Sequence, residues 1–206
     1  MKITRTANAG VLLKTDGLSI LLDGICGKVE PYLETPDAIR EKLTENFPDV
    51  LAFTHKHADH YDVSYAEVYE KATLRPVYGS EVFFSADFGG VNIASVPTRH
   101  IGKNDIPHTS FIIKGSKCIW FMGDASPLEW KKKENLPTPD VIIAPFAYAN
   151  TASAWKMTES FGAETIVIVH MPDRENDTYG IWEAVENTVG NSKNVFIPKM
   201  GESIIL

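Results

Sequence analysis

Polar and apolar residues alternate at the start of the chain, through Lys2–Thr6, Gly10–Lys14 and Leu18–Asp23, and Asn8, Gly10, Asp16 and Gly17 separate these runs. A period of two broken by turn formers predicts three strands in antiparallel succession. The period then changes. Thr35 offers an N-cap, Pro36 a first helical residue, and Ile39, Leu43 and Phe47 follow on one face of a helix. Asp49–Thr54 is a short, almost wholly apolar run, as expected of a strand covered on both faces. Ser64-x-x-Glu67 has the form of a capping box that opens a helix through about Ala72, leaving His55 to Val63 as the loop between strand and helix.

Further along, runs rich in Val, Ile and Phe predict strands at Arg75–Tyr78, Val91–Pro97, Ser110–Lys114, Cys118–Met122, Asp140–Ala144, Thr165–Val169 and Asn194–Pro198. Helical stretches are expected at about Ser80–Phe88, Thr151–Phe161 and Tyr179–Val189, with Lys131-Lys132-Lys133 as a solvated helix face. The pattern is α/β, with two sheets or one large sheet covered by helices, and periodicity does not choose between those. Trp120, Trp155 and Trp182 lie in apolar periodic stretches and are expected in the core.

Composition narrows the function. At 206 residues and 44% hydrophobic, the chain buries enough surface to fold without disulfides. Cys26 and Cys118 stand in no C-x-x-C spacing and read as free thiols. A formal net charge of −7 works against nucleic acid as a partner. No apolar stretch reaches the roughly 18 residues of a membrane span, and the first residues alternate instead of forming a signal-peptide core, so a cytoplasmic protein with no membrane contact is expected.

The chemistry gathers in Thr54-His55-Lys56-His57-Ala58-Asp59-His60, which puts three of six histidines and a carboxylate into one turn at a strand's C-terminal end. Imidazoles and a carboxylate so crowded are hard to pack unless a cation holds them. In an extended loop His55 and His57 point the same way and converge on one ion, Lys56 points away, and Asp59 and His60 face a second position.

His-x-His-x-Asp-His after an apolar strand resembles the signature of the metallo-β-lactamase fold hydrolases. The resemblance continues in order along the chain. Asp23 matches the early aspartate that steadies the histidine loop. His100, in Val-Pro-Thr-Arg-His, matches the third histidine of the first metal site, Asp124 the bridging carboxylate, and His170 the last histidine of the second site. Among branches, the chain is most similar to the ascorbate-6-phosphate lactonase-like group, with a weaker echo of the N-acyl phosphatidylethanolamine phospholipase D group. Pro107-His108-Thr109-Ser110 also fits the third histidine motif. His100 is preferred, which leaves His108 as either a substrate-facing or a surface residue.

The resemblance implies one domain over residues 1–206 with a four-layer αββα sandwich, two mixed β-sheets flanked by helices. It implies a dinuclear centre of two divalent ions, zinc preferred and manganese or iron admissible. His55, His57 and His100 would hold one ion, and Asp59, His60 and His170 the other. Asp124 would bridge them, and a hydroxide between the ions would attack a small ester, lactone or phosphoester. Asp59 is the candidate catalytic residue that orients the nucleophile and moves its proton. Arg99, with Lys103, is a candidate for holding an anionic small-molecule substrate, and the Gly24–Glu34 loop with Cys26 and Tyr32 is expected to wall the cleft, with Tyr61 and Tyr148 nearby. The middle residue His57 disfavours the diiron flavoprotein branch, which resembles His-x-Glu-x-Asp. A mononuclear iron dioxygenase and a non-catalytic metal-binding protein remain as alternatives, and the oligomeric state is open.

Overall fold

In a computed structural model that describes residues 1–81, 83–102 and 106–206, two mixed β-sheets lie face to face with helices on both outer sides. The first sheet opens with β1 (Lys2–Arg5), β2 (Val11–Thr15) and β3 (Leu18–Leu22) in antiparallel pairing. β4 (Val50–Ala52) and β5 (Val77–Tyr78) add to it in parallel, each reached through a helix: α1 (Asp37–Glu45) and α2 (Val63–Thr73). The second sheet begins as the meander β6 (Ser85–Phe88), β7 (Val91–Thr98), β8 (His108–Lys114) and β9 (Cys118–Phe121). It continues in parallel through β10 (Val141–Pro145), β11 (Thr165–Val169) and β12 (Val195–Phe196), joined by α3 (Pro127–Lys131), α4 (Ala152–Glu159) and α5 (Ile181–Val189). β13 (Ser203–Ile205) returns to pair with β1, closing a sheet order of β13-β1-β2-β3-β4-β5 opposite β12-β11-β10-β9-β8-β7-β6.

Side-chain alternation explains the four layers. Ile20, Leu22, Val50 and Ala52 face the second sheet and meet Val141, Ile143, Val167 and Val169 in the inter-sheet core. Their neighbours Leu21 and Leu51 face outward onto Leu43, Tyr65 and Tyr69 of α1 and α2. On the other side Ile142 and Ala144 pack on Trp130 of α3, and Ile166 and Ile168 on Trp155 and Val185 of α4 and α5. Trp120 and Trp155 are buried as expected, and Trp182 is half-buried beneath the Arg174 guanidinium, 3.9 Å from its ring centre.

Several local expectations are corrected. Residues 85–88 form a strand, not the end of a Ser80–Phe88 helix, because Gly89 and Gly90, both at positive φ, turn the chain back so that Phe88 pairs with Val91. Asp62, not Ser64, caps α2, its carboxylate accepting the Tyr65 N–H at 3.0 Å. Pro36, not Thr35, is the N-cap residue of α1, and the Thr35 hydroxyl accepts the Cys26 N–H at 3.0 Å instead. Of the lysine triplet, Lys131 ends α3, Lys132 pairs with Glu129, and Lys133 donates to the Pro97 carbonyl.

Candidate metal centre

Five of the predicted site residues lie just past the C-terminal end of a strand: Asp23 after β3, His55 after β4, His100 after β7, Asp124 after β9 and His170 after β11, whereas His108 begins β8. Asp23 anchors the histidine loop. Its carboxylate accepts the Thr54 N–H at 2.7 Å, the Thr54 hydroxyl at 2.6 Å and His60 Nδ1–H at 2.8 Å, all fully buried. β2's approach fixes Asp23 in turn, since a Cβ on Gly10 would sit 1.8 Å from the Asp23 carbonyl oxygen. The His57 carbonyl accepts the N–H groups of His60 and Tyr61, which folds the loop into a turn ahead of α2.

Cross-links then draw the other loops in. The Ile101 N–H donates to the Asp124 carbonyl at 2.7 Å, and Ser126 N–H to the Arg99 carbonyl at 3.0 Å, so the His100 and Asp124 segments are zipped together. Thr109 N–H donates to the Thr54 carbonyl at 2.9 Å, tying the second sheet to the histidine loop. Gly123, at φ +54, passes so close to Thr54 that a Cβ would lie 2.5 Å from the threonine methyl.

All seven predicted ligands come together. Three overlapping groups offer donor atoms within 4.8 Å of one another: His55, His57 and His100; His55, His60 and Asp124; and Asp59, His60 and His170. Asp124 sits between them, one carboxylate oxygen 3.4 Å from His60 Nε2 and the other 3.5 Å from both His100 Nε2 and His170 Nε2. Asp59 lies 3.2 Å from His170 Nε2. Among the described residues, the Nε2 atoms of His60, His100 and His170 and Asp124 Oδ1 are buried without a hydrogen-bond partner. Lone pairs of this kind facing one another are hard to accommodate without a cation, and neutral imidazole with carboxylate is a donor set for divalent transition metals. Residues and group therefore fit.

The electrostatics follow from burial and crowding. Burial, then the neighbouring His60, pushes the His55 pKa far down, which keeps the imidazole neutral. Burial opposes charge on His60, but Asp124 and Asp23 outweigh it and raise its pKa well above the ordinary value. Burial likewise opposes charge on Asp124, yet the His170 and His60 imidazoles hold its carboxyl well below the usual range.

His108 is buried and not a surface histidine, and with Thr98 and Arg99 it lines a cleft of about 420 Å³. The ring is 6% exposed, its Nδ1 lies 2.8 Å from the Thr98 hydroxyl, and its Nε2 accepts the Asp124 N–H at 3.0 Å. Both nitrogens are thus occupied inside the protein, and burial lowers its pKa to about 3. The Thr98 hydroxyl also meets Ser110 Oγ, which donates to the Met122 carbonyl, so a polar relay braces the turn that carries Asp124. Arg99 is exposed and, with His100, lines a cleft of about 580 Å³ that reaches Ser126, Asn150 and Thr151. Lys103 lies outside the described residues. Lys56 points away, paired with Glu81 at 2.8 Å. Tyr32 packs edge-on against His170, ring centres 4.4 Å apart, whereas Cys26 and Tyr148 are fully buried and wall nothing. Tyr61 packs on Phe53.

Sequence reasoning gave no role to Arg5 and read Asn8 only as a turn former. The Asn8 carbonyl accepts the His170 N–H at 3.0 Å and the Arg5 guanidinium at 2.9 Å. The signal was present in the alternation of β1, where Lys2 and Thr4 face out and Arg5 shares the inward face of Ile3.

Two facing mixed sheets, helices outside and histidines with carboxylates at the strand ends define the metallo-β-lactamase fold. The chain belongs to the metallo-β-lactamase superfamily: the family model described as "Beta-lactamase superfamily domain" matches residues 2–170. Among solved structures it is similar to an isothiocyanate hydrolase from Delia radicum gut bacteria, at 16% identity and a TM-score of 0.72 over 100% of this chain and 99% of that one. A protein described as a possible metal-dependent hydrolase from Veillonella parvula matches at 17% identity and a TM-score of 0.71, with the same coverage. A diiron β-hydroxylase from Streptomyces venezuelae matches at 12% identity and a TM-score of 0.65, over 100% of this chain and 54% of its own. No curated protein matches the chain. Among the described residues, no helix is long and apolar enough to cross a membrane.

Proposed function

We propose that the chain is a metal-dependent hydrolase of a small ester, lactone or phosphoester, acting as one cytoplasmic domain over residues 1–206. The supporting observation is the convergence of seven donors into overlapping triads around Asp124, with buried nitrogens that lack partners among the described residues. His55, His57 and His100 would hold one divalent ion, Asp59, His60 and His170 a second, and Asp124 would serve both. When bound, such ions, zinc by preference, supply positive charge that polarises the substrate oxygen and brings the pKa of a water near ~7.

The chain's residues do the rest. Asp23 holds the His60 ring through Nδ1 and leaves Nε2 free to ligate. Asp59 accepts the proton of the attacking water and delivers it to the leaving group. Arg99, exposed at the cleft beside His100, attracts the anionic part of the substrate. A carboxylate- or phosphate-bearing lactone is the leading substrate type, in keeping with the ascorbate-6-phosphate lactonase-like resemblance, and isothiocyanates join the panel because the neighbour of that name shares the fold.

The test is metal analysis together with lactones, phosphodiesters, thioesters and isothiocyanates assayed with and without chelator. Two zinc or manganese ions per chain and chelator-sensitive hydrolysis are expected. One iron per chain with oxygen consumption would establish the dioxygenase reading instead, and metal binding without turnover a binding protein.

A further inference from the structure

Arg5 ends β1 and is 6% exposed. Its guanidinium makes no ion pair among the described residues and spends its donors on four backbone carbonyls: Ala7 at 3.3 Å, Asn8 at 2.9 Å, Met171 at 3.1 Å and Pro198 at 3.2 Å. Burial lowers its pKa to about 10, so it is still charged at neutral pH. A cation buried without a counter-anion is expensive unless the carbonyl dipoles around it are worth holding together. Two of those carbonyls bracket one residue. Asn8 O also takes the His170 N–H at 3.0 Å, and Met171 is the next residue along.

His170 itself is strained, at φ +59. For a residue with a Cβ that conformation is strained and persists only where the surroundings over-determine it. At His170 those surroundings include Asn8 O on one side and the Arg5-held Met171 carbonyl on the other. We propose that Arg5 is a positioning residue for the second metal site: its planar fork clamps the Ala7-Asn8 loop to Met171 and so fixes the backbone from which the His170 imidazole is aimed at Asp59 and Asp124. The inference rests on the dinuclear reading above and adds to it. Lysine would not do the same work, since a single ammonium has three donors and no rigid fork to span four carbonyls. The first triad makes no use of this clamp, because His55, His57 and His100 hang from β4 and β7.

The experiment compares the wild-type chain with Arg5→Lys and Arg5→Met, using stepwise zinc titration against a chromophoric chelator and cobalt(II) absorption spectra, with circular dichroism as the check on folding. In both variants the affinity for the second ion is expected to fall about 10–100-fold, less for lysine than for methionine, while the first ion binds as in wild type. Two ions bound with wild-type affinities, both ions weakened equally, or neither variant folding would each overturn the proposal, the last two by making Arg5 a general staple of the fold. A wild-type chain that binds only one ion would instead overturn the dinuclear reading, a result read from the wild type alone.

Discussion

The two triads that share Asp124 are built differently. In the first, His55 is buried but His57 and His100 are not, and His55 and His57 brace each other at 3.0 Å between ring nitrogens. In the second, Asp59, His60 and His170 are all buried and hung on the chain's interior: His60 on Asp23, His170 on Asn8 and, through it, Arg5. Openness on one side gives access to the cleft at Arg99, while enclosure on the other supplies rigidity. The supports of an open triad and of an enclosed one should therefore fail in different ways on mutation.

His57→Ala should have the largest effect. It leaves the first ion underheld, so chelator-sensitive turnover should vanish in the activity panel, and retention of full turnover would break the account. Asp23→Asn should be next. The amide has one acceptor oxygen where the carboxylate had two, so the Thr54 N–H and His60 Nδ1–H can no longer both be served, and the second ion should bind about 10–100-fold more weakly in metal titration.

Gly123→Ala should lower unfolding free energy by about 2–4 kcal/mol in urea, summing a left-handed φ with a contact at 2.5 Å from Thr54. His108→Ala should cost less, about 1–3 kcal/mol, by leaving the Asp124 N–H unpaired. It should loosen both ions alike because Asp124 is shared, and selective loss of one would show that His108 belongs to a single triad. The smallest effect is that of pH. Without metal, His60 holds a proton above its ordinary range, which stabilises the fold at pH below about 6.5 and less as pH rises through the raised value. A metal must displace that proton, so apparent affinity should rise with pH, and loading should release protons in a weakly buffered titration.

Much of this was legible in the chain because the relevant signals are local. His55 to His60 are contiguous, and the strands preceding Asp23, His55 and His170 announce themselves as apolar runs. Which face each of Ile20, Leu21 and Leu22 packs on was not legible, since all three are apolar and only the pairing of the sheets sorts them. What escaped depends on partners distant in sequence. β13 is three residues long and exists through its pairing with β1. His108 could be placed only once β7 and β8 paired Thr98 with it and brought it under Asp124. Other misses were of signals present but unweighted: the Gly89-Gly90 hairpin turn behind β6, Ser126-Pro127 ahead of α3, and an arginine at an inward strand position.

The most direct measurement is anomalous diffraction at the zinc, iron and manganese edges from crystals grown with metal. The account predicts two peaks, one within His55, His57 and His100 and one within Asp59, His60 and His170, with Asp124 touching both. A single peak, or none among these side chains, would contradict it.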